Sequence, residues 1–294
     1  MSTLSTPFYM KINKILPLEN NYLQIIDTIA KPPQALYYVG TLPTERQITV
    51  AIVGTRKPSA YGREVAASLA DKLARSGVVV VSGLALGIDA VAHKAALDAG
   101  GLTIAVQANG LDKIYPYANR TLGERITTSG GALISEYPEK TEPRPYQFLA
   151  RNRIVSGLAD YVVVVEAARR SGTLSTASHA LEQGRDLYAV PGNITNPLSA
   201  GCNSLIHQGA MPIADIDEFV DIVTPNRSST RQIALPVAGT PLEAKIIELI
   251  QSGIREGETL QVQSQVSASE FTVALTMLEI NGVIKPLGQN KWSL

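Results

Sequence analysis

The sequence is poor in the residues that hold metals or covalent cross-links. It has one cysteine, Cys202, and three histidines, His93, His179 and His207, scattered along 294 residues. A single thiol closes no internal disulfide, and none of the spacings of a structural zinc site is present. No metal and no cofactor are expected, and the free thiol points to a reducing compartment. Long apolar runs are missing as well: none approaches the roughly 20 residues that span a bilayer. Residues 1–40 lack the basic, apolar and small-residue regions of a secretory signal, so the expectation is a cytoplasmic protein with no membrane partner. Net charge is also absent. With 26 basic and 26 acidic side chains the chain is not a polybasic coat, so any grip on an anion has to be local.

What is present is an alternation. Short β-branched runs at 48–53, 78–81, 103–107, 132–135, 161–166 and 186–190, with a short late one near 211–214, are separated by alanine-rich helical stretches. Those helices are expected at 61–76, 88–99, 118–129, 147–158, 173–184 and 204–209. Repeated strand-helix units of this kind build an α/β fold with a mostly parallel, Rossmann-like wound sheet, whose ligand sits at the carboxyl ends of the strands. Residues 1–45 carry no self-sufficient pattern and read as a short lead-in to a domain at 46–222. Residues 223–240 read as a linker. The remainder, 241–294, predicts helices at 242–251, near 259–265 and at 268–280, then a hairpin containing Trp292, which is a winged-helix pattern.

The chemistry-bearing residues fall at the expected strand ends. Gly54-Thr55-Arg56 follows the first strand, where backbone N–H groups and a helix start can hold an anion and Arg56 offers a fork of donors. The same turn reads equally well as a tight strand-helix connection with a solvated arginine. Ser82-Gly83 follows the second strand in a loop with two further donors. Asp89 and His93, four apart on one helix face, read as a cap and its partner rather than as an acid-base pair, because no third orienting group is apparent. Glu136 reads as a carboxylate that orders neighbouring loops.

Arg151, Asn152 and Arg153 lie near the expected start of a helix, where the dipole disfavours cations and an anionic ligand would explain them. Phe148 just before them is either a base-stacking platform or a core residue. Ser171-Gly172-Thr173 opens another helix beside two arginines and makes a further anion cradle. So many phosphate-ready loops at one sheet edge exceed the needs of one mononucleotide, and a polyanion becomes the economical ligand.

Eight stretches in order carry a resemblance: VGTRKPSAYG from residue 53, SGLALGIDAVAH from 82, NGLDKIYP from 109, ISEYP from 134, RNRIVSGLAD from 151, VVVVEAARRSGTLSTA from 162, AVPGNI from 189 and GCNSLIHQGA from 201. Together they resemble the DprA/Smf family of DNA-processing proteins. The resemblance implies a non-catalytic, usually dimeric Rossmann-like protein that binds single-stranded DNA and helps load the RecA recombinase during natural transformation. It also implies that Arg56 and the pocket around Arg151, Asn152 and Arg153 contact DNA phosphates.

Two departures stand out. A helical domain that precedes the core in many relatives is not expected in about 45 residues. The helix expected at 268–280 has no lysine or arginine, and residues 242–294 hold four basic against six acidic side chains. A recognition helix needs cations, so this segment is expected to contact protein instead of duplex DNA. The competing reading is a nucleotide-cleaving hydrolase of the lysine-decarboxylase-like group. Ala168 to Thr173 lacks the paired glycines of that group's loop, which disfavours it. A nucleotide-sensing protein using the same cradle is a third reading.

Overall fold

The computed structural model describes residues 11–225, 240–280, 283–288 and 290–293, in two compact units, Met1–Arg227 and Ser228–Leu294. The first unit is built on strands β1 (Asn13–Ile15), β2 (Leu36–Gly40), β3 (Thr49–Val53), β4 (Val79–Ser82), β5 (Thr103–Gln107), β6 (Ala132–Ser135), β7 (Tyr161–Val164), β8 (Asp186–Ala189) and β9 (Met211–Pro212). Its helices are α1 (Ala60–Arg75), α2 (Ile88–Asp98), α3 (Arg120–Thr128), α4 (Pro145–Leu158), α5 (Thr173–Glu182), α6 (Ala200–His207) and α7 (Ile216–Val223).

The sheet order is β1-β2-β6-β5-β4-β3-β7-β8-β9. Strands β3 to β9 run parallel, while β1 and β2 pair antiparallel at one edge. This is the wound α/β sheet that the strand-helix alternation predicts. Every residue of β3 is buried, because both faces are covered. Alternate residues feed separate cores: Ala51 and Val53 join Ile154, Leu158 and Ala177 of α4 and α5, whereas Val50 and Ile52 join Leu69 and Leu73 of α1 and Ile88 of α2. The chain runs from β3 out to β6 and returns to β7 on the other side of β3, so the topological switch point lies between β3 and β7. Crevices form at such points in open α/β sheets.

Residues 13–40 are a working part of this unit and not a lead-in. Strand β2 pairs with β6 in the register Tyr38 to Ile134, and Tyr22 and Leu23 in a turn and Ile26 on the short 3₁₀ segment that follows it are fully buried. Tyr22 donates or accepts a hydrogen bond with Thr49 Oγ1 at 3.1 Å, and burial pushes its hydroxyl up to about 12. Helix α7 also lies where the sequence predicts no helix. Asp215 caps it by accepting from the N–H groups of Asp217 and Glu218, and it buries Phe219, Val220 and Val223.

In the second unit, helices Pro241–Gln251, Gly257–Ser264 and Ala268–Ile280 precede the antiparallel strands Lys285–Gly288 and Lys291–Ser293. Ile246, Ile250, Leu260, Phe271, Leu275 and Leu278 form its core. Most of the linker expected at 223–240 lies outside the described residues. Among the described residues no helix is long and apolar enough to cross a membrane.

Candidate nucleic-acid interface

The loops after β3, β4 and β7 meet at the switch point and are tied to one another through their backbones. Gly54 sits where a Cβ would lie 2.6 Å from Ile88 Cγ1, so only glycine lets β3 turn against α2. The next residue donates its N–H to the Glu166 carbonyl at 2.7 Å, and the Thr55 carbonyl accepts from Ile88 N–H at 3.2 Å. Thr173 Oγ1 donates to the Gly54 carbonyl at 3.0 Å, and Asn152 Nδ2 donates to the Gly172 carbonyl and Ser175 Oγ at 3.2 and 3.0 Å. These bonds close a rim around a cavity of about 680 Å³.

Gly54, Thr55, Arg56, Gly83, Phe148, Arg151, Asn152, Ser171, Gly172 and Thr173 all line that cavity. The fold thus gathers ten residues that the sequence places up to 119 positions apart. Arg56 is exposed and stands with its guanidinium carbon 5.6 Å from the centre of the Phe148 ring. Phe148 in turn lies 5.6 Å from the Tyr115 ring, so an aromatic wall faces the cation. The N–H groups of Ser171 and Gly172 have no acceptor among the described residues. The cationic lining consists of Arg56, Arg151 and Arg170, against a single carboxylate, Asp89.

Asp89 is already committed. It is buried and accepts from the N–H groups of Gly83 and Ala85 at 3.1 and 3.3 Å, which bends the loop after β4 over the amino end of α2. Burial raises its pKa, opposed chiefly by the Arg151 charge. The expected Asp89–His93 pair does not form. His93 is fully buried and pairs through Nδ1 with Thr103 Oγ1 at 2.7 Å, and burial drives its pKa down to about 3, which keeps it neutral.

Three of the expected phosphate-contact residues are held by the protein itself, and two of them lie outside the cavity. Ser82 is fully buried and donates its hydroxyl to the Ile52 carbonyl at 2.6 Å, outside the cavity. Arg153 also lies outside it: two residues along a helix turn the side chain by about 200° from Arg151, and Arg153 forms a two-pronged pair with Glu136 at 2.6 and 2.7 Å, with 14% of its side chain exposed. Glu136 therefore holds a side chain of helix α4, where the sequence suggests a carboxylate that orders neighbouring loops. Arg151 is only 5% exposed, and its Nη1 donates to the carbonyls of Gly83 and Val106. Its Nε reaches Asn152 Oδ1 at 3.3 Å, which leaves Nη2 as the one guanidinium nitrogen without a hydrogen bond among the described residues. Burial brings its pKa down to about 10. Arg151 is a strut beneath the loop after β4 that also brings positive charge to the cavity floor. Gly83 has no side chain because a Cβ there would run into that guanidinium.

The start of α1 is not the open anion site that the sequence implies. Ser59 caps the helix by accepting from Gly62 N–H at 3.0 Å, and Glu166 takes the Ser59 hydroxyl and N–H at 2.5 and 2.9 Å. A buried carboxylate thus occupies the place at this helix start that a nucleotide phosphate would take. Nothing in local sequence marks Glu166 for this task, because its partner lies 107 residues away. Arg170 and Tyr115 are further lining residues; Arg170 stands next to a motif already singled out.

Fold and site define an α/β protein that presents cationic, loop-built anion contacts beside an aromatic wall at the switch point of a wound sheet. The family described as DNA recombination-mediator protein A matches residues 13–224, and the chain belongs to that family, DprA/Smf. It is 44% identical to Protein Smf of Escherichia coli over 211 residues, 69% of this chain and 56% of that protein, so it spans little more than half of that relative's length. It is 40% identical to DNA processing protein DprA of Bacillus subtilis over 211 residues, 71% of each. DprA from Streptococcus pneumoniae superposes with a TM-score of 0.67 at 40% identity, covering 71% of this chain and 74% of that one. DprA from Helicobacter pylori, whose single-stranded DNA binding mode has been studied structurally, superposes with a TM-score of 0.66 at 32% identity, covering 74% and 98%.

Proposed function

We propose that this protein grips single-stranded DNA in the cavity between β3 and β7, without cleaving it. The observation that carries the reading is exposed Arg56 over the Phe148 ring, itself beside Tyr115, in a cavity that Ser171 and Gly172 also line. Phosphates meet cations and backbone donors, while a base stacks on the aromatic wall in place of the Arg56 guanidinium. Stacking of this kind is worth about 1–3 kcal/mol per base and tolerates any sequence. A relative whose structural study names single-stranded DNA supports the same ligand.

The cavity holds no candidate nucleophile and base in hydrogen-bond contact: Asp89 is tied to two backbone N–H groups and His93 is turned away to Thr103. This favours a binding protein over the hydrolase alternative. Within the family reading the protein acts in the cytoplasm as a homodimer that guards incoming DNA and hands it to the RecA recombinase in natural transformation. The test is fluorescence anisotropy with labelled oligonucleotides. Single strands are expected to bind more tightly than duplex of the same sequence, and equal affinity for both would overturn the reading.

A further inference from the structure

A second cavity, about 890 Å³ in volume, adjoins the first and shares Tyr115 and Pro143 with it. Its character is opposite. The floor is apolar, made by Val39 of β2, Leu111 and Leu133 of β6. Tyr115 and Tyr117 stand at its wall, 42% and 77% exposed, although large aromatic side chains are otherwise costly to leave in water. The cations that line it are consumed locally: Lys113 pairs with Glu142 at 2.6 Å and Arg120 with Glu124 at 2.7 Å. Two carboxylates are left without an ion pair among the described residues: Asp112 accepts a backbone N–H from Lys140 at 2.7 Å and stands within the field of Lys113, and Glu139 has no hydrogen-bond partner. Buried in the wall, the Asn109 side-chain oxygen also has no donor.

We infer that this cavity is a docking site for a basic, amphipathic peptide segment of a partner protein: a lysine or arginine held by Tyr115, Tyr117, Asp112 and Glu139, beside an apolar side chain on the floor. Charge complementarity selects the occupant. Unpaired carboxylates repel a phosphate backbone, whereas two exposed tyrosine faces and two carboxylates attract a cation. The apolar floor calls for an apolar neighbour to that cation, which an amphipathic peptide supplies and a DNA strand does not. Because Tyr115 belongs to both walls and touches Phe148, the partner seats directly beside the gripped strand. Proteins that themselves bind DNA carry such basic surfaces, so the site suits a partner that receives or competes for the strand.

The test uses the full chain and a short fluorescein-labelled peptide of lysine, leucine and serine, with a glutamate-for-lysine version as control. Saturable binding of the lysine peptide and none of the control is expected. Asp112→Asn with Glu139→Gln should weaken it about tenfold, and Tyr117→Ala about threefold. Asparagine keeps the acceptor for Lys140 N–H, and circular dichroism checks that each variant is folded. Single-strand affinity should stay within about twofold of the parent, since none of these residues lines the first cavity. Peptide affinity that ignores the substitutions overturns the proposal. So does a Tyr117→Ala variant that loses DNA affinity in place of peptide affinity, which would make the cavity a base subsite.

Discussion

Replacing Arg151 with methionine separates a strut from a phosphate contact. In the folded protein Arg151 Nη1 serves the carbonyls of Gly83 and Val106, and its charge offsets the buried Asp89 carboxylate. Methionine keeps much of the volume but removes the donors and leaves Asp89 without its counter-charge. Removing one partner of a buried charged network costs about 3–5 kcal/mol. For a unit of this size that lowers the melting temperature by roughly 6–20 °C. Thermal unfolding followed by calorimetry is the assay. Asp89→Asn placed in the same chain should recover part of the loss, because it removes the stranded carboxylate. A variant that melts with the parent and loses only DNA affinity would refute the strut and make Arg151 a direct contact.

Three other outcomes follow from the geometry. Folded His93 has its pKa lowered from 6.5 to about 3, so between those values the unfolded chain binds more protons; this contribution to stability is complete above pH 6.5 and is lost as pH falls toward 3. His93→Gln should flatten that acid limb in denaturant unfolding at a series of pH values, and an unchanged limb would contradict the buried neutral imidazole. Arg153→Gln should cost about 1–3 kcal/mol of stability through its pair with Glu136 yet leave single-strand affinity within about twofold, as read by anisotropy and thermal melts side by side. Deleting residues 240–294 should leave single-strand affinity nearly intact; a loss beyond about tenfold would show that the second unit touches DNA.

Much of the wound sheet is readable because its strands are buried on both faces and spell continuous β-branched runs, as in β3 and β7. The antiparallel strands β1 and β2 have three and five residues and partly exposed patterns, so no periodicity announces them; the pairing of β2 with β6, and of β1 with β2, makes them strands. Helix α7 spans eight residues, too short for its pattern to outweigh the polar stretch that follows.

At the site, motif chemistry marks the loops, because glycines at strand ends and hydroxyls at a helix start, several of them along one sheet edge, exceed what tight turns and caps require. It did not give side-chain direction. Arg151 and Arg153 look equivalent in sequence, but helix rotation sends one beneath the Gly83 loop and the other to Glu136. The carboxylate of Glu166 at the start of α1 was equally hidden, since both of its contacts run to Ser59 across 107 residues.

The most direct measurement of the central claim is the salt dependence of single-strand binding in the parent chain and in Arg56→Ala. Arg56 is exposed and has no ion pair among the described residues, so its removal should leave the fold intact. If it meets a phosphate, the plot of log affinity against log salt becomes shallower by about 0.7, and affinity at low salt falls about tenfold or more. An unchanged slope and affinity, with the variant folded, would contradict the claim that the β3–β7 cavity grips the strand.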